Sequence, residues 1–307
     1  MNQVIDLLLT SIVRFASFLA RNLPYSLVCS VLHFLFRVFL LIQPKHLTVG
    51  RKNIEIAFPD MPAKEVTELI NNHVKFLSRV LADSLRLRLI KLDWVKENVT
   101  FPNEEAHAEL HGGDTPGILI ATGHLGSFEL FAHSAGLMGY NLSFIVRNFP
   151  FPKLDQWWCK TREHSGNKVI RRKGAYKKIT TQLQLGQDVG VLFDQNVTRN
   201  RALFPKWFGL EAATTKAIGF AALQSKAPLV VCALAHRGDG KHEILWERCE
   251  IESIRDDESL SRDEKLLQIT QIASDKFCAM VTKYPEQWFW FHRRWKTRPI
   301  KGSYQYS

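Results

Sequence analysis

The chain has no Cys-x-x-Cys pair, no spacing of cysteines and histidines that suits zinc, no heptad repeat and no low-complexity linker. Its five cysteines (Cys29, Cys159, Cys232, Cys249 and Cys278) are odd in number and scattered. They read as reduced thiols of a cytosol-facing protein and not as a disulfide framework. Acidic residues are also in short supply: 30 Asp and Glu stand against 41 Lys and Arg, a formal charge of +11. That sign suits an anionic membrane surface, an acidic substrate or nucleic acid. With no nucleic-acid module accompanying the charge, nucleic acid fits worst and is not expected as a partner. No internal repeat divides the 307 residues, which suffice for a full hydrophobic core. No metal or other cofactor is signalled.

The first fifty residues differ from the rest. Between Val4 and Ile42 the chain is mostly Leu, Ile, Val, Phe and Ala, interrupted by Arg14, Arg21, Asn22, Pro24, His33 and Arg37. A cleavable secretion signal would place its charges ahead of a short apolar core, unlike this stretch. Residues 24–42 are long enough to cross a bilayer, but His33 and Arg37 are costly in hydrocarbon. Two helices broken at 22–24, lying in or dipping into the interface with snorkelling arginines, suit the pattern better. Ordinary core helices are the other reading. The expected division is residues 1–50 as a membrane-associating helical segment and 51–307 as the main domain.

From Arg51 the composition becomes that of a soluble domain. Residues 63–89 carry Val66, Leu69, Ile70, Val74, Leu77, Val80, Leu81 and Leu85 at helical spacing. Apolar strand candidates at 117–121, 142–146, 169–171, 189–193, 229–235 and 243–246 then alternate with helix candidates at about 127–139, 154–164, 175–185, 213–225 and 262–284. The alternation predicts an α/β fold with a substantial sheet.

The run Gly-Ile-Leu-Ile-Ala-Thr-Gly-His-Leu-Gly-Ser-Phe-Glu-Leu at 117–130 delivers His124 from a strand into a glycine-flanked turn. Glu129 follows five residues later. On one continuous helix the two side chains would lie about 140° apart, at roughly 3.6 residues per turn. If the helix starts near Ser127, Glu129 can fold back on the imidazole as the orienting acid of a general base. Ser127 reads as a helix cap. A lone strand-end histidine is more often structural, and Glu129 alone would suit the helix dipole. However, Gly123 and Gly126 permit close backbone approach, and the helix start supplies free N–H groups. Arg147 ends the next strand, and Asp194, Gln195 and Asn196 end another. Ligands gather at the carboxyl ends of parallel strands, so polar residues at three of them point to one site. With no evident Ser or Cys nucleophile, direct deprotonation of a substrate hydroxyl, for attack on an activated acyl or phosphoryl group, fits these residue types.

These residues also carry a family resemblance over nearly the whole chain. The His-x-x-x-x-Glu run at His124 and Glu129, Phe144 to Arg147, the Asp-Gln-Asn after Phe193, and Pro228 before a strand resemble the four ordered blocks of the glycerolipid acyltransferase superfamily. Residues 53–59, 203–209 and 212–215, with the Trp-rich tail 284–299, are similar to the late acyltransferases of lipid A biosynthesis, the lauroyl and myristoyl transferase family. The tail is the most specific of these.

The resemblance implies a single glycerolipid-acyltransferase-like domain with a mostly parallel sheet flanked by helices. It implies transfer of a fatty acyl chain from acyl carrier protein to a hydroxyl of a lipid A precursor, on the cytoplasmic side of the bacterial inner membrane. His124 would be the base, Glu129 its orienter, and Arg147 a ligand for anionic groups; Asp194 and Gln195 would shape the pocket. Asn196 departs from the aspartate of the best-known branch, which leaves the acceptor open to a lysophospholipid or ornithine-type lipid. A hydrolase acting on water and a non-catalytic membrane-binding protein are the other readings. The tail's tryptophans and basic residues suit either an interfacial patch or a core-docked closing segment.

Overall fold

The computed structural model describes residues 3–111, 116–140, 142–172, 174–300 and 305–306. Four helices come first: α1 (Gln3–Asn22), α2 (Tyr25–Ile42), α3 (Lys45–Ala57) and α4 (Ala63–Arg86). Pro24 separates the first two, as expected, because its ring cannot continue a helix. α3 was not anticipated. It runs unbroken through residue 50, where the change of domain was expected.

The remainder is the predicted α/β alternation: α5 (Leu92–Asn98), β1 (Val99–Thr100), α6 (Glu104–Glu109), β2 (Leu119–Thr122), α7 (Phe128–Leu137), β3 (Ser143–Val146), α8 (Pro152–Arg162), β4 (Lys168–Arg171), α9 (Ala175–Gln184) and β5 (Val189–Leu192). Two short ribbons follow, β6 (Ala202–Leu203) with β9 (Thr214–Thr215) and β7 (Lys206–Trp207) with β8 (Leu210–Glu211). The chain continues with α10 (Ala217–Ser225), β10 (Leu229–Gly238), β11 (Lys241–Cys249), α11 (Glu252–Asp256) and α12 (Arg262–Lys283). α12 starts at a capping box in which Ser261 and Glu264 satisfy each other's backbone N–H groups.

The main sheet has the order β1-β11-β10-β2-β5-β3-β4. β10, β2, β5, β3 and β4 are mutually parallel, and β11 is antiparallel to β10. Alternate residues of each strand enter opposite cores. Leu119, Ala121, Val189, Val191, Val231 and Ala233 face α9, α10 and α12, while Ile118, Ile120, Val230 and Cys232 face α5 and α7. Helices thus cover both faces, as parallel strands buried on two sides require.

The first two helices are apolar outward; inward, α1 is mostly polar, whereas α2 buries Val28 and Leu40. α1 buries Asp6, Thr10, Ser17 and Ala20 against α4 and α8, leaving Val4, Leu8, Ile12, Phe15 and Phe18 exposed. Asp6 accepts from the backbone N–H of Lys153 (3.0 Å), capping α8 from another helix. On α2, Phe34, Leu35, Leu41 and Ile42 are likewise exposed, while Arg37 donates to Asn71 of α4. Both helices are long and apolar enough to cross a membrane. Contiguous apolar surface of this kind is not left to water.

The tail beyond α12 is docked in the core and is not an interfacial patch. Trp288, Trp290, Trp295 and Arg294 are buried, and Asn53 of α3 donates to the carbonyls of Trp290 and His292 (2.6 Å each). His73 of α4 lies between the same elements. Its Nδ1 bonds to the Glu286 carbonyl (2.9 Å) and its Nε2 accepts the Trp290 N–H (3.4 Å), which requires neutral imidazole. Burial pushes the His73 pKa down to about 4. His242 is also pushed down to about 4, by burial and then by the neighbouring His236. For bases whose folded pKa lies below the ordinary 6.5, the stability contribution is complete above 6.5 and is lost as pH falls toward and through 4. The melting temperature should therefore drop across that window, and His73→Gln should make the drop shallower.

Candidate active site

His124 and Asp194 are brought together by strand register. Thr122 of β2 pairs with Leu192 of β5, so the residues two positions beyond each strand emerge side by side. The imidazole Nδ1 lies 2.9 Å from Asp194 Oδ1, and the His124 backbone N–H donates to Oδ2 (2.7 Å). Gly123 makes the approach possible, because a Cβ there would meet Asp194 Cγ at 2.7 Å and the Phe277 ring at 2.5 Å.

Asp194 is fixed from the far side as well. The Trp288 indole N–H donates to Oδ2 at 2.9 Å, and the Phe289 N–H donates to the His124 carbonyl at 3.0 Å. Burial of Asp194 would by itself raise its pKa. The His124 charge and the hydrogen bonds from His124 and Trp288 outweigh it and hold the carboxyl at about 2. An ionised Asp194 accepts from Nδ1–H, so in the neutral ring the lone pair is on Nε2. The His124 side chain is 21% exposed, with the Phe128 ring packed edge-on at 4.8 Å. The Gln195 amide nitrogen lies 3.3 and 3.4 Å from the two ring nitrogens, a committed partner of neither.

Glu129, expected to orient His124, is engaged elsewhere. It lies buried in the first turn of α7 and is forked by Arg162 at the end of α8, through Nε (2.9 and 3.1 Å) and Nη2. The physical reason is the turn before α7. Gly126 adopts φ +68 with its Cα against the Leu234 carbonyl, and α7 leaves with Glu129 facing α8. Proximity along the chain favoured Glu129, whereas proximity across the sheet favours Asp194. Arg162 carried no signal in the sequence. Arg147 sits where expected, exposed just past β3. Ser127 occupies the N-cap position of α7, but its hydroxyl donates to Asp83 of α4 (3.3 Å) and makes no side-chain cap. Asn196 is a strut: it exchanges hydrogen bonds with Thr297 (2.9 and 3.1 Å), and its N–H donates to His292 (2.7 Å).

His107, His111 and Asp188 are the one group among the described residues spaced for a metal ion. They lie at the amino end of β5, the opposite edge of the sheet from His124. The Trp246 indole N–H donates to His107 Nδ1 (3.3 Å), so the ring proton sits on Nε2, turned to Asp188 at 3.6 Å. In that tautomer Nε2 carries a proton and no lone pair for a metal ion, and it is buried without a hydrogen-bond partner among the described residues.

The chain matches the family model described as bacterial lipid A biosynthesis acyltransferase over residues 3–297. It is 24% identical to a lipid A biosynthesis palmitoleoyltransferase of Escherichia coli (strain K12) over 293 residues, 93% of this chain and 90% of that one. A lipid A biosynthesis lauroyltransferase of the same organism is 24% identical over 286 residues, 91% and 88% of the two chains. A lipid A biosynthesis acyltransferase of Haemophilus influenzae is 22% identical over 283 residues, 90% and 86%.

Asp194→Asn would present an amide N–H to Nδ1 and favour the wrong imidazole tautomer, so turnover should fall roughly 100- to 10,000-fold. Single-turnover rates would measure this. Glu129→Ala strands the Arg162 guanidinium and should cost roughly 2 kcal/mol in denaturant unfolding, less than a fully buried pair because Arg162 is partly solvated. Removing Arg162 as well should restore part of that loss.

Proposed function

The chain belongs to the bacterial lipid A biosynthesis acyltransferase family, and from that premise we propose that it moves a fatty acyl chain from acyl carrier protein to a hydroxyl of a lipid A precursor, with His124 as the general base. The observation that carries the mechanism is the 2.9 Å contact between His124 Nδ1 and a deeply buried, ionised Asp194. Nε2 takes the proton from the acceptor hydroxyl as its oxygen bonds to the thioester carbonyl carbon. The tetrahedral intermediate collapses, the carbon–sulfur bond breaks, and the imidazolium returns the proton to the departing thiolate. Asp194 holds the productive tautomer and stabilises the imidazolium between these steps.

Glu129 acts at one remove in this reading. Its fork with Arg162 ties α7 to α8 and so fixes the loop that carries His124. Gln195 borders the imidazole where the acceptor arrives, and the exposed Arg147 at the carboxyl edge offers a cation to anionic groups of the substrate. The outward apolar faces of α1 and α2 support a position on a membrane with the sheet edge at its surface, which for a carrier-protein donor is the cytoplasmic face of the inner membrane. The +11 charge suits that anionic surface and an acidic carrier protein, at about 1 kcal/mol per basic residue near the membrane.

The test is reconstitution of the full chain in detergent micelles with acyl carrier protein thioester and a lipid A precursor bearing free hydroxyacyl chains. Mass spectrometry should show one added acyl group, lost in His124→Ala. Free fatty acid as the main product would mark a hydrolase. Acylation of a lysophospholipid in preference to the lipid A precursor would reassign the acceptor.

A further inference from the structure

A cavity of about 450 Å³ opens between α1, the turn after α4 and α8. Arg14 and Arg21 of α1 and Arg88 of the turn line it. None of the three forms an ion pair with a carboxylate among the described residues. Arg21 is positioned by its Nε bond to the Ser17 carbonyl (3.2 Å), and Ser17 is tied to α4 through the Leu85 carbonyl (2.8 Å). Arg88 Nε is buried and finds no hydrogen-bond partner among the described residues. Three guanidiniums gathered around one space repel each other, and a buried N–H donor left unmade is costly. An oxyanion with several acceptor oxygens relieves both, and guanidinium forks match phosphate geometry.

The surroundings identify the kind of phosphate. Phe15 and Phe18, which line the cavity, belong to the exposed apolar face of α1, and Trp157 of α8 forms part of the wall. A ligand here carries its charge against the arginines and its apolar part along a lipid-facing helix, as a phosphorylated lipid does. A carrier protein would have to approach across that apolar face. α8 also links the cavity to the catalytic edge, since Asp6 caps its first turn and Arg162 at its end holds Glu129.

We propose that this cavity binds the phosphate-bearing headgroup of the lipid acceptor, an assignment that rests on the acyltransferase reading above. It sets which end of the acceptor faces α1 while the hydroxyl reaches His124.

The experiment compares a phosphorylated lipid A precursor with its enzymatically dephosphorylated counterpart, using full-length protein in detergent micelles. Two readouts are taken: direct binding by calorimetry, and acceptor KM with acyl carrier protein thioester as donor. The wild type should favour the phosphorylated lipid by roughly tenfold or more, the scale of one charged hydrogen bond or more. The preference should shrink in Arg14→Gln, whose exposed side chain leaves the fold undisturbed, and approach unity in the Arg14, Arg21 and Arg88 triple glutamine variant. Four results would overturn the proposal: equal binding of both lipids by the wild type, a preference that survives in the variants, displacement by inorganic phosphate at concentrations matching the lipid, or an effect confined to the KM for the carrier protein. If neither lipid is acylated but phosphate-dependent binding persists and the variants lose it, the acyltransferase reading fails and the cavity assignment stands.

Discussion

Asp194 is a carboxylate removed from water at the end of a buried strand, and the site is arranged around the cost of putting it there. An ion in such a place survives only if its oxygens are met by donors. The donors are the His124 ring, the His124 backbone N–H and the Trp288 indole, drawn from β2 and from the C-terminal tail. Meeting them forces the strands to continue in register past their last paired residues, Gly123 to lack a side chain, and the tail to return to the sheet edge. What lowers the Asp194 pKa to about 2 is therefore also what aims the His124 imidazole.

The tail's composition follows from this requirement. Trp288, Trp290 and Trp295 fill one core with Trp207 and Phe277, each buried aromatic contributing about 1.5–3 kcal/mol. Arg294 lies over the Trp207 ring at 4.2 Å and donates to the Ala213 carbonyl and Thr214 hydroxyl. Asn53, His73 and Asn196 clamp the tail backbone from three other elements. A segment whose sequence alone suited a membrane surface equally well is a buried closure that delivers one indole N–H to one carboxylate. The exposed apolar surface belongs instead to α1 and α2, which both turn leucine and phenylalanine outward, α1 with Asp6, Thr10 and Ser17 toward the protein.

Much of this was legible in the residues. Apolar runs marked the long strands, and the break at Pro24 separated the first two helices. α3 was missed because Lys45–Ala57 shows no continuous apolar stripe, and the two-residue strands β6 to β9 are too short to display a period. His124, Asp194 and Gln195 were correctly gathered at one edge from the way their strands end. The pairing within that edge was not legible, since a five-residue separation is visible in a sequence and a register of seventy residues is not. Arg162 stayed hidden for the same reason, being defined by a contact between two helices.

The central claim is that Asp194, and not Glu129, holds the His124 imidazole. It is tested most directly by the proton on Nδ1. In protein labelled with ¹⁵N at its 11 histidines, the Nδ1–H resonance that disappears in His124→Gln belongs to this contact. The account predicts that this resonance persists in Glu129→Gln and vanishes in Asp194→Asn. Loss in Glu129→Gln with retention in Asp194→Asn would contradict it.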